Sequence, residues 1–261
     1  MRKSFGIFLL LLCLCLAVFG PSLAPSEFDA IHLSQTNLAP SAKHWFGTDD
    51  LGRDLFARTA IGLRLSLATG IVAACIDCLI GALWGASAAM LGRKYDMIMM
   101  RFVDSLAAIP QTILAIVMLV CLGPGFLSMI CAMVIAGWLT MARIMRSYVA
   151  TLVNKEYVLA SRLIGAGYGR VLRMHILPNS TDIILTTLLM TIPQAIFLES
   201  FLSFLGLGVP PPASSLGSMA QEALPALSYY PWRMLIPAGC VSVVILGFNL
   251  IAKQADDRHG K

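Results

Sequence analysis

The feature that most constrains this chain is a series of apolar runs, each approaching or exceeding the length of a membrane span. A helix that crosses the hydrocarbon core, about 30 Å thick, needs about 20 mostly apolar residues. The runs cover residues 5–20, 66–91, 102–122, 126–141, 183–205 and 234–252. Hydrophobic residues make up 58% of the chain and charged residues 13%, roughly half the charged share of a soluble domain. The sequence therefore predicts an all-α, polytopic membrane protein with six transmembrane helices.

Basic residues predict the orientation of these spans. All but five of the 19 Lys and Arg lie in the N-terminus, the second loop, the loop 142–182 and the tail. The five exceptions are Lys43, Arg53, Arg58, Arg64 and Arg233. Because Lys and Arg are enriched in cytoplasmic loops, we expect both termini and the loop 142–182 to be cytoplasmic.

The spans divide the chain into three parts. Residues 1–64 form a transmembrane helix and an extracytoplasmic segment, residues 65–252 a core of five spans, and residues 253–261 a cytoplasmic tail. The first span has a second interpretation, because a basic start followed by a short apolar run also fits a cleavable signal. Residues 22–24 are a weak candidate for the cleavage site. Cleavage would leave five spans in the same orientation.

Sequence motifs for enzymatic chemistry are missing. No Gly-x-x-x-x-Gly-Lys-Ser/Thr loop is present, so we do not expect this chain to hydrolyse ATP. No cluster of His and carboxylates has metal-ligand spacing, so we expect neither a metal site nor a cofactor. Such an apolar chain is also not a nucleic-acid-binding protein. The remaining classes are a transporter, a channel, or the membrane part of a machine whose motor is another chain.

The long cytoplasmic loop predicts two short amphipathic helices. Apolar positions of the first recur at helical spacing: Tyr157, Ala160, Leu163 and Ile164. We expect this helix to end at Gly165. The second, residues 168–176, carries Val171, Leu172 and Ile176 on one side, and we expect Pro178 to stop it. Periodicity leaves two interpretations open: a knob for a groove on a partner, or helices lying on lipid headgroups.

The same loop resembles the "EAA" loop of permease subunits of ATP-binding-cassette importers. The matching positions are Glu156, Ala160, Gly165, Ile176, Leu177 and Pro178, with Ser161 where the family usually has a second Ala. The resemblance implies a type I importer permease fold. It also implies that residues 156–178, including Arg170, form a coupling loop that docks on a separate ATPase subunit.

Three further segments resemble the second permease subunit of the dipeptide, oligopeptide and nickel importers. The matching residues include Gly47, Thr48, Asp49, Gly52, Arg53 and Asp54 in the first segment, Arg101, Asp104 and Pro110 in the second, and Glu199 and Ser203 in the third. The chain departs from the family at Leu216, where Trp is usual, and in its tail, which lacks the common Gly-Asp. The resemblance implies a second permease chain, two ATPase subunits and an extracytoplasmic binding protein as partners, in a bacterial inner membrane. The resemblance does not decide whether the cargo is a peptide, nickel or a metal chelate.

These segments carry local structural expectations. Thr48 or Asp49 can cap an outer amphipathic helix that leads into span two. Arg101 and Asp104, three residues apart, can pair near the cytoplasmic end of span three. Pro110 is expected to kink that span.

Polar residues within the spans are candidates for the transport pathway: Asp77, Glu199 and Ser203. We expect Asp77 near the bilayer midplane, where a charge costs at least about 2.5–3.5 kcal/mol. Two interpretations of Asp77 stay open. It lines a path for a cationic ligand, or it is protonated or paired at a contact with another subunit. Glu199 is expected near an outer gate. A secondary transporter would show inverted repeats, which we do not find in the sequence.

Overall fold

The computed structural model describes residues 2–24 and 26–259, and within these ranges helices and short turns account for the fold, without a named β-strand. Two of the tail residues predicted to be cytoplasmic, 260 and 261, lie outside the described residues. In chain order, the α-helices of the described part are α1 (Arg2–Leu23), α2 (Leu55–Met90), α3 (Arg93–Ala107), α4 (Gln111–Leu122), α5 (Phe126–Leu152), α6 (Glu156–Leu163), α7 (Tyr168–Val171), α8 (Leu177–Asn179), α9 (Thr181–Leu202), α10 (Leu216–Ala223) and α11 (Trp232–His259).

Five of the predicted spans are confirmed as helices long and apolar enough to cross a membrane. Within the described residues these helices are Ser4–Leu23, Leu55–Met90, Phe126–Leu152, Thr181–Leu207 and Trp232–Lys253. The fourth of them is α9 together with a π-helical turn, Ser203–Leu207, that extends it. The spans are mostly longer than the apolar runs in the sequence, because the helices continue into polar sequence at their ends.

The third predicted span, residues 102–122, is wrong as a continuous kinked helix. It is divided between α3 and α4, whose axes are bent by 82°. Pro110 precedes α4, and a proline both lacks the N–H for a helical hydrogen bond and disfavours helical geometry at the residue before it. α4 has 12 residues, a length of about 18 Å, which is too short to span alone. The pair is a broken span or a re-entrant loop.

The centre of the fold is the contact between α2 and α5. A Cβ atom added to Gly81 would lie 2.5 Å from the carbonyl oxygen of Trp138, and one added to Gly85 would lie 2.2 Å from that of Ala142. These distances leave no room for a side chain. The prediction that Gly81 and Gly85 permit close helix packing is confirmed.

The first helix packs against both α2 and α11. A Cβ atom on Gly20 would lie 2.6 Å from Cβ of Ala60, and one on Gly6 would lie 3.0 Å from the carbonyl oxygen of Gly247. Arg64 donates from Nε to the carbonyl oxygen of Ala17 at 3.0 Å. α1 is therefore a packed helix of the fold in this structure.

The predicted outer helix capped by Thr48 or Asp49 is absent from the described structure. The segment before α2 turns at Gly47 and Gly52, whose φ angles are +79° and +73°, values that a right-handed helix cannot contain. α2 begins instead at Leu55 and is capped by Asp54, which accepts from the backbone N–H of Phe56 at 2.9 Å. Span two therefore starts at Leu55, before the apolar run that predicted it.

Candidate functional site

Two acids and two arginines form a largely buried group on the side predicted to be extracytoplasmic. We call Asp49, Arg53, Arg58 and Glu222 the outer ionic cluster. Asp49 Oδ2 accepts from Arg58 Nη1 at 2.6 Å and from Arg53 Nε at 2.7 Å. Glu222 on α10 accepts from the same Arg58 nitrogen at 2.9 Å and from Arg53 Nη2 at 3.2 Å. The cluster joins residues 26–54, the outer segment between α1 and α2, to α2 and α10.

The surroundings of Asp49 favour its charged form. Burial alone would raise the pKa of this carboxyl, but the positive charges of Arg58 and Arg53, with hydrogen bonds from Arg53, lower the pKa below its ordinary value. Oδ1 of Asp49 also accepts hydrogen bonds from the backbone N–H groups of Leu51 and Arg53, both at 2.9 Å. The carboxylate thus organises the turn that precedes α2 as well as the ion pairs.

Two further contacts close the outer segment. His44 Nδ1 lies 2.9 Å from Asp54 Oδ2, so Asp54 holds both the start of α2 and the loop before it. Arg233, at the start of α11, donates to Asn37 Oδ1 at 2.8 Å and to Asp50 Oδ1 at 3.1 Å. The outer segment is therefore fixed to both α2 and α11.

On the opposite side, the loop predicted to be cytoplasmic is anchored through one apolar face. We call residues 156–180 the cytoplasmic knob. Its buried side chains include Val158, Ser161, Val171, Leu172 and Ile176. The apolar members of this set pack with Cys78 of α2 and with Met141 and Met145 of α5. The knob is therefore packed on the α2–α5 pair, the contact at the centre of the fold.

The other face of the knob is apolar and uncovered in the isolated chain. Leu163 is 89% exposed and Ile164 is 88% exposed. The sequence grouped these residues with Tyr157 and Ala160 as one face, and that face points outward, whereas the core side of α6 carries Val158 and Ser161. Because α6 carries apolar residues on both its core side and its outward face, periodicity alone did not identify the inner face.

The two helices of the knob meet at the predicted glycine bend. α6 ends at Leu163, and Gly165 has a φ of +85°, so the expected end at this glycine is confirmed. The prediction that Pro178 stops the second helix is wrong, because a π-helical turn, Leu172–Ile176, leads directly into α8. Its wider hydrogen-bond register, with Leu177 N–H donating to the carbonyl of Leu172, accommodates the proline, which has no N–H.

Ion pairs on the side predicted to be cytoplasmic differ from the one that the sequence predicted. Asp104 pairs with Arg143 of α5 at 2.9 Å, and not with Arg101. Asp96 of α3 accepts from Nε of Arg146 at 2.9 Å and also from Nη2. Both pairs link α3 to α5, because the bend at Pro110 lays α3 beside the end of α5. Asp104 thus pairs with a residue of another helix and not with the neighbour on its own helix.

Asp77 lies among α2, α5 and α9 and is 3% exposed. Its Oδ1 atom has no hydrogen-bond partner among the described residues. A cavity of about 20 Å³ borders it and is lined by polar residues of neighbouring helices, together with Met133, Gly137, Ala195 and Leu198. The polar residues are Gln111, Thr140, Thr191 and Gln194. We call this cavity the Asp77 recess.

Glu199 and Ser203, the other two pathway candidates, lie together near the end of α9. Glu199 is 1% exposed, and its Oε1 accepts from Ser203 Oγ at 2.9 Å while Oε2 accepts from Ser200 Oγ at 3.3 Å. Ser203 also borders a cavity of about 340 Å³ that reaches Pro124 and Glu222. The structure therefore brings the outer ionic cluster and the end of α9 to one cavity.

The sequence patterns used above did not single out several residues of these sites. Glu222 is 164 positions from its partner Arg58, a separation at which no spacing rule applies. Gln111 and Gln194 carry no charge, so a search of the spans for ionisable residues passes over them. Their presence within apolar runs was the available signal.

Comparison with known proteins gives consistent matches. A family model described as "Binding-protein-dependent transport system inner membrane component" matches residues 78–260. The chain is 46% identical over 252 residues to the oligopeptide transport system permease protein OppC of Bacillus subtilis (strain 168), covering 97% of this chain and 83% of that protein. It is 45% identical over 253 residues to the dipeptide transport system permease protein DppC of the same strain, covering 97% and 79%.

The fold also matches a solved structure. The MetNI methionine ABC transporter, in an inward-facing conformation, has a TM-score of 0.61 and 17% sequence identity, covering 76% of this chain and 94% of that chain. The type I importer permease fold is confirmed by this likeness. The cytoplasmic placement of both termini stays a prediction.

Proposed function

Because the chain belongs to the family of binding-protein-dependent transport system inner membrane components, we propose that it forms one half of the pore of an ATP-driven peptide importer. A second permease chain supplies the other half, two ATPase subunits supply the motor, and an extracytoplasmic binding protein delivers the cargo. The names of the oligopeptide and dipeptide relatives favour peptides over nickel or a metal chelate. ATP hydrolysis belongs to the partner subunits, and the coupling residues named from the sequence belong to the contact with them.

The observation that carries this proposal is the two-sided cytoplasmic knob. One side is packed into the α2–α5 core, and the other presents Leu163 and Ile164 almost fully exposed. Two adjacent apolar side chains exposed to this degree are typical of anchors that fill a pocket on a partner. The pattern supports docking on a protein more than lying on lipid headgroups, because the two most exposed apolar side chains of the knob are neighbours beside the bend at Gly165 and do not extend along one helix as a stripe.

The packing also supports a route for coupling. When the ATPase dimer closes on ATP, the docked knob moves with it. Because the backbone is almost continuously helical from Tyr168 through α9, that movement is passed to the helix that carries Glu199 and Ser203. The same displacement pushes on α2 and α5 through the buried face. Inward-open and outward-open states would then differ in how these helices sit against the second permease chain.

The experiment replaces one exposed apolar residue of the tip with a charge. Leu163→Asp in the full complex should weaken capture of the ATPase subunits by about 30-fold or more, as expected for an anchor residue whose loss costs about 2 kcal/mol. Co-purification of the ATPase at defined concentrations and ATP hydrolysis stimulated by the binding protein measure the effect.

Leu33→Asp is the matched control. Leu33 is 71% exposed but belongs to the outer segment, so the same chemical change there should leave ATPase capture intact. Equal capture by both variants, with transport retained, would reject docking through the knob.

A further inference from the structure

The Asp77 recess differs from an ordinary buried carboxylate site. In the described residues, the Oδ1 atom is shielded from solvent and lacks any donor. A carboxylate in that position loses its hydration without compensation, which costs several kcal/mol. Gly137 makes room for it, since a Cβ atom there would lie 2.0 Å from Oδ2. The fold thus admits an acid at this point but supplies it with no donor for Oδ1.

Glu199 provides the contrast within the same chain. It is equally buried, yet two serine hydroxyls donate to it. A carboxylate that serves packing alone is expected to be satisfied by its own chain in this way. The absence of such a donor for Asp77 Oδ1 among the described residues leaves a place for a donor from outside the chain.

The lining of the recess fits a cation with several N–H donors. Besides Asp77, it offers side-chain oxygens of Gln111, Gln194, Thr140 and Thr191, all of which can accept hydrogen bonds. A cavity of about 20 Å³ holds one group the size of a water molecule. An ammonium group has that size. It donates three hydrogen bonds, and its positive charge would pair with the carboxylate of Asp77.

A second cavity adjoins the recess. This cavity of about 370 Å³ shares Gln111, Gln194 and Leu198 with it and extends along α9 to Asn249 of α11. Phe197 and Pro193 give this larger cavity apolar walls. A small polar recess at the side of a larger, mostly apolar cavity suits a ligand with a charged end and an apolar body.

We infer that the Asp77 recess binds the primary ammonium group of the cargo, holding the amino terminus of a peptide while its body occupies the adjoining cavity. The ammonium donates to Asp77 and to the Gln and Thr oxygens around it. This inference rests on the proposed peptide import and adds a contact with cargo inside the membrane. The competing occupant is one water molecule beside a neutral carboxyl.

The first test uses methylammonium as the probe on the complete, detergent-solubilised complex. Methylammonium should raise the unfolding temperature in a saturable way, whereas tetramethylammonium, too large for the recess and without N–H donors, should not. In Asp77→Asn the response should require at least about tenfold more methylammonium, as expected for loss of a charge-assisted hydrogen bond. Cys75→Ser, an exposed change on the same helix, should respond like the wild type.

A fold defect is distinguishable from loss of the site. Because Asp77 Oδ1 has no donor, Asp77→Asn should unfold at the same temperature as the wild type or higher when methylammonium is absent. A saturable response that is identical in wild type and Asp77→Asn, or no response in either, would overturn the inference in favour of a water-filled recess.

Transport in proteoliposomes separates this inference from the proposed function. Wild-type complex that hydrolyses ATP but moves no peptide would contradict the proposed function. Peptide import by the wild type, with Asp77→Asn importing at the same rate at every peptide concentration, would contradict the inference alone. The expected result is import by both, with at least about tenfold lower efficiency in Asp77→Asn.

Discussion

The outer segment and the cytoplasmic knob connect transmembrane helices in opposite ways. The outer segment pairs its buried charges within the chain, through the outer ionic cluster and the contacts of Asp54 and Arg233. The knob buries one apolar face and leaves the other, at Leu163 and Ile164, uncovered in the isolated chain. The buried charges of one region are paired within the chain, whereas the other region keeps an apolar face that the proposed ATPase subunit would cover. The first should therefore govern stability, and the second should govern coupling.

The strongest test of the outer segment is Arg58→Met. It removes the more deeply buried of the two arginines that Asp49 and Glu222 share and leaves a buried carboxylate with a weaker pairing, which should cost about 3–5 kcal/mol of unfolding free energy. Thermal or denaturant unfolding of the detergent-solubilised complex measures the loss. Surviving complex should still capture the ATPase, because the change lies far from the knob.

Arg64→Met is the control for that variant. Arg64 lies on the same helix but is exposed and pairs with backbone carbonyls of α1, so its loss should cost no more than about 1 kcal/mol. A loss for Arg58→Met as small as that for Arg64→Met would mean that the outer ionic cluster does not hold the segment.

The knob is tested by Gly165→Ala. The φ of +85° at this bend costs an L-residue about 1–2 kcal/mol, although no described atom lies within 4 Å of the added methyl. The strain should tilt α6 and weaken ATPase capture by roughly 5- to 30-fold, with little change in the unfolding temperature of the membrane core. Co-purification and stimulated ATP hydrolysis report the effect.

Gly169→Ala supplies a matched comparison within the same loop. Its methyl group also meets no described atom within 4 Å, but Gly169 is in α7 and does not have a positive φ. Coupling should therefore be unchanged or slightly better. If both alanines weakened capture equally, the bend at Gly165 would not be the feature that orients the tip.

These two regions also show what the sequence could and could not predict. The knob was found from a local motif, and its bend at Gly165 from the conformational freedom of glycine, because both are properties of neighbouring residues. The outer cluster depends on Glu222, which meets Arg53 across 169 positions, and no local pattern encodes that contact. The expected outer helix failed for the same reason: Asp49 was read as a local cap, whereas it binds two arginines and the turn.

The spans follow the same division. Length and hydropathy predict six spans, and five of them are single helices in the described structure, since burial in lipid depends mainly on composition. At Pro110 the sequence predicts only a kink, whereas the structure has an 82° bend. The apolar run 102–122 gives no sign that α3 lies beside α5. The pairs Asp96–Arg146 and Asp104–Arg143 fix that placement, and they join residues that are remote in sequence.

Acid titration gives the smallest expected effect and sharpens the contrast between the two regions. Since the pKa of Asp49 is lowered in the folded chain, its ionised form contributes stability above the ordinary Asp pKa of about 3.9. That stability is lost as the pH falls through the lowered, folded-state pKa. Unfolding temperatures should therefore be insensitive to Asp49 between pH 5 and pH 8, taken as about the usual range of maximal stability, and should fall in stronger acid.

The fall of the unfolding temperature in strong acid is the acid limb of the stability profile. The variant Asp49→Asn measures how much of that limb comes from Asp49. The variant should be less stable near neutral pH and should lose a smaller increment on acidification, because one titrating carboxylate is gone. Glu156→Gln, which removes an exposed acid from the knob, should keep the wild-type acid limb. An acid limb of equal size in wild type and Asp49→Asn would mean that the outer segment is held by contacts other than its paired charges, and the contrast with the knob would then rest on apolar packing alone.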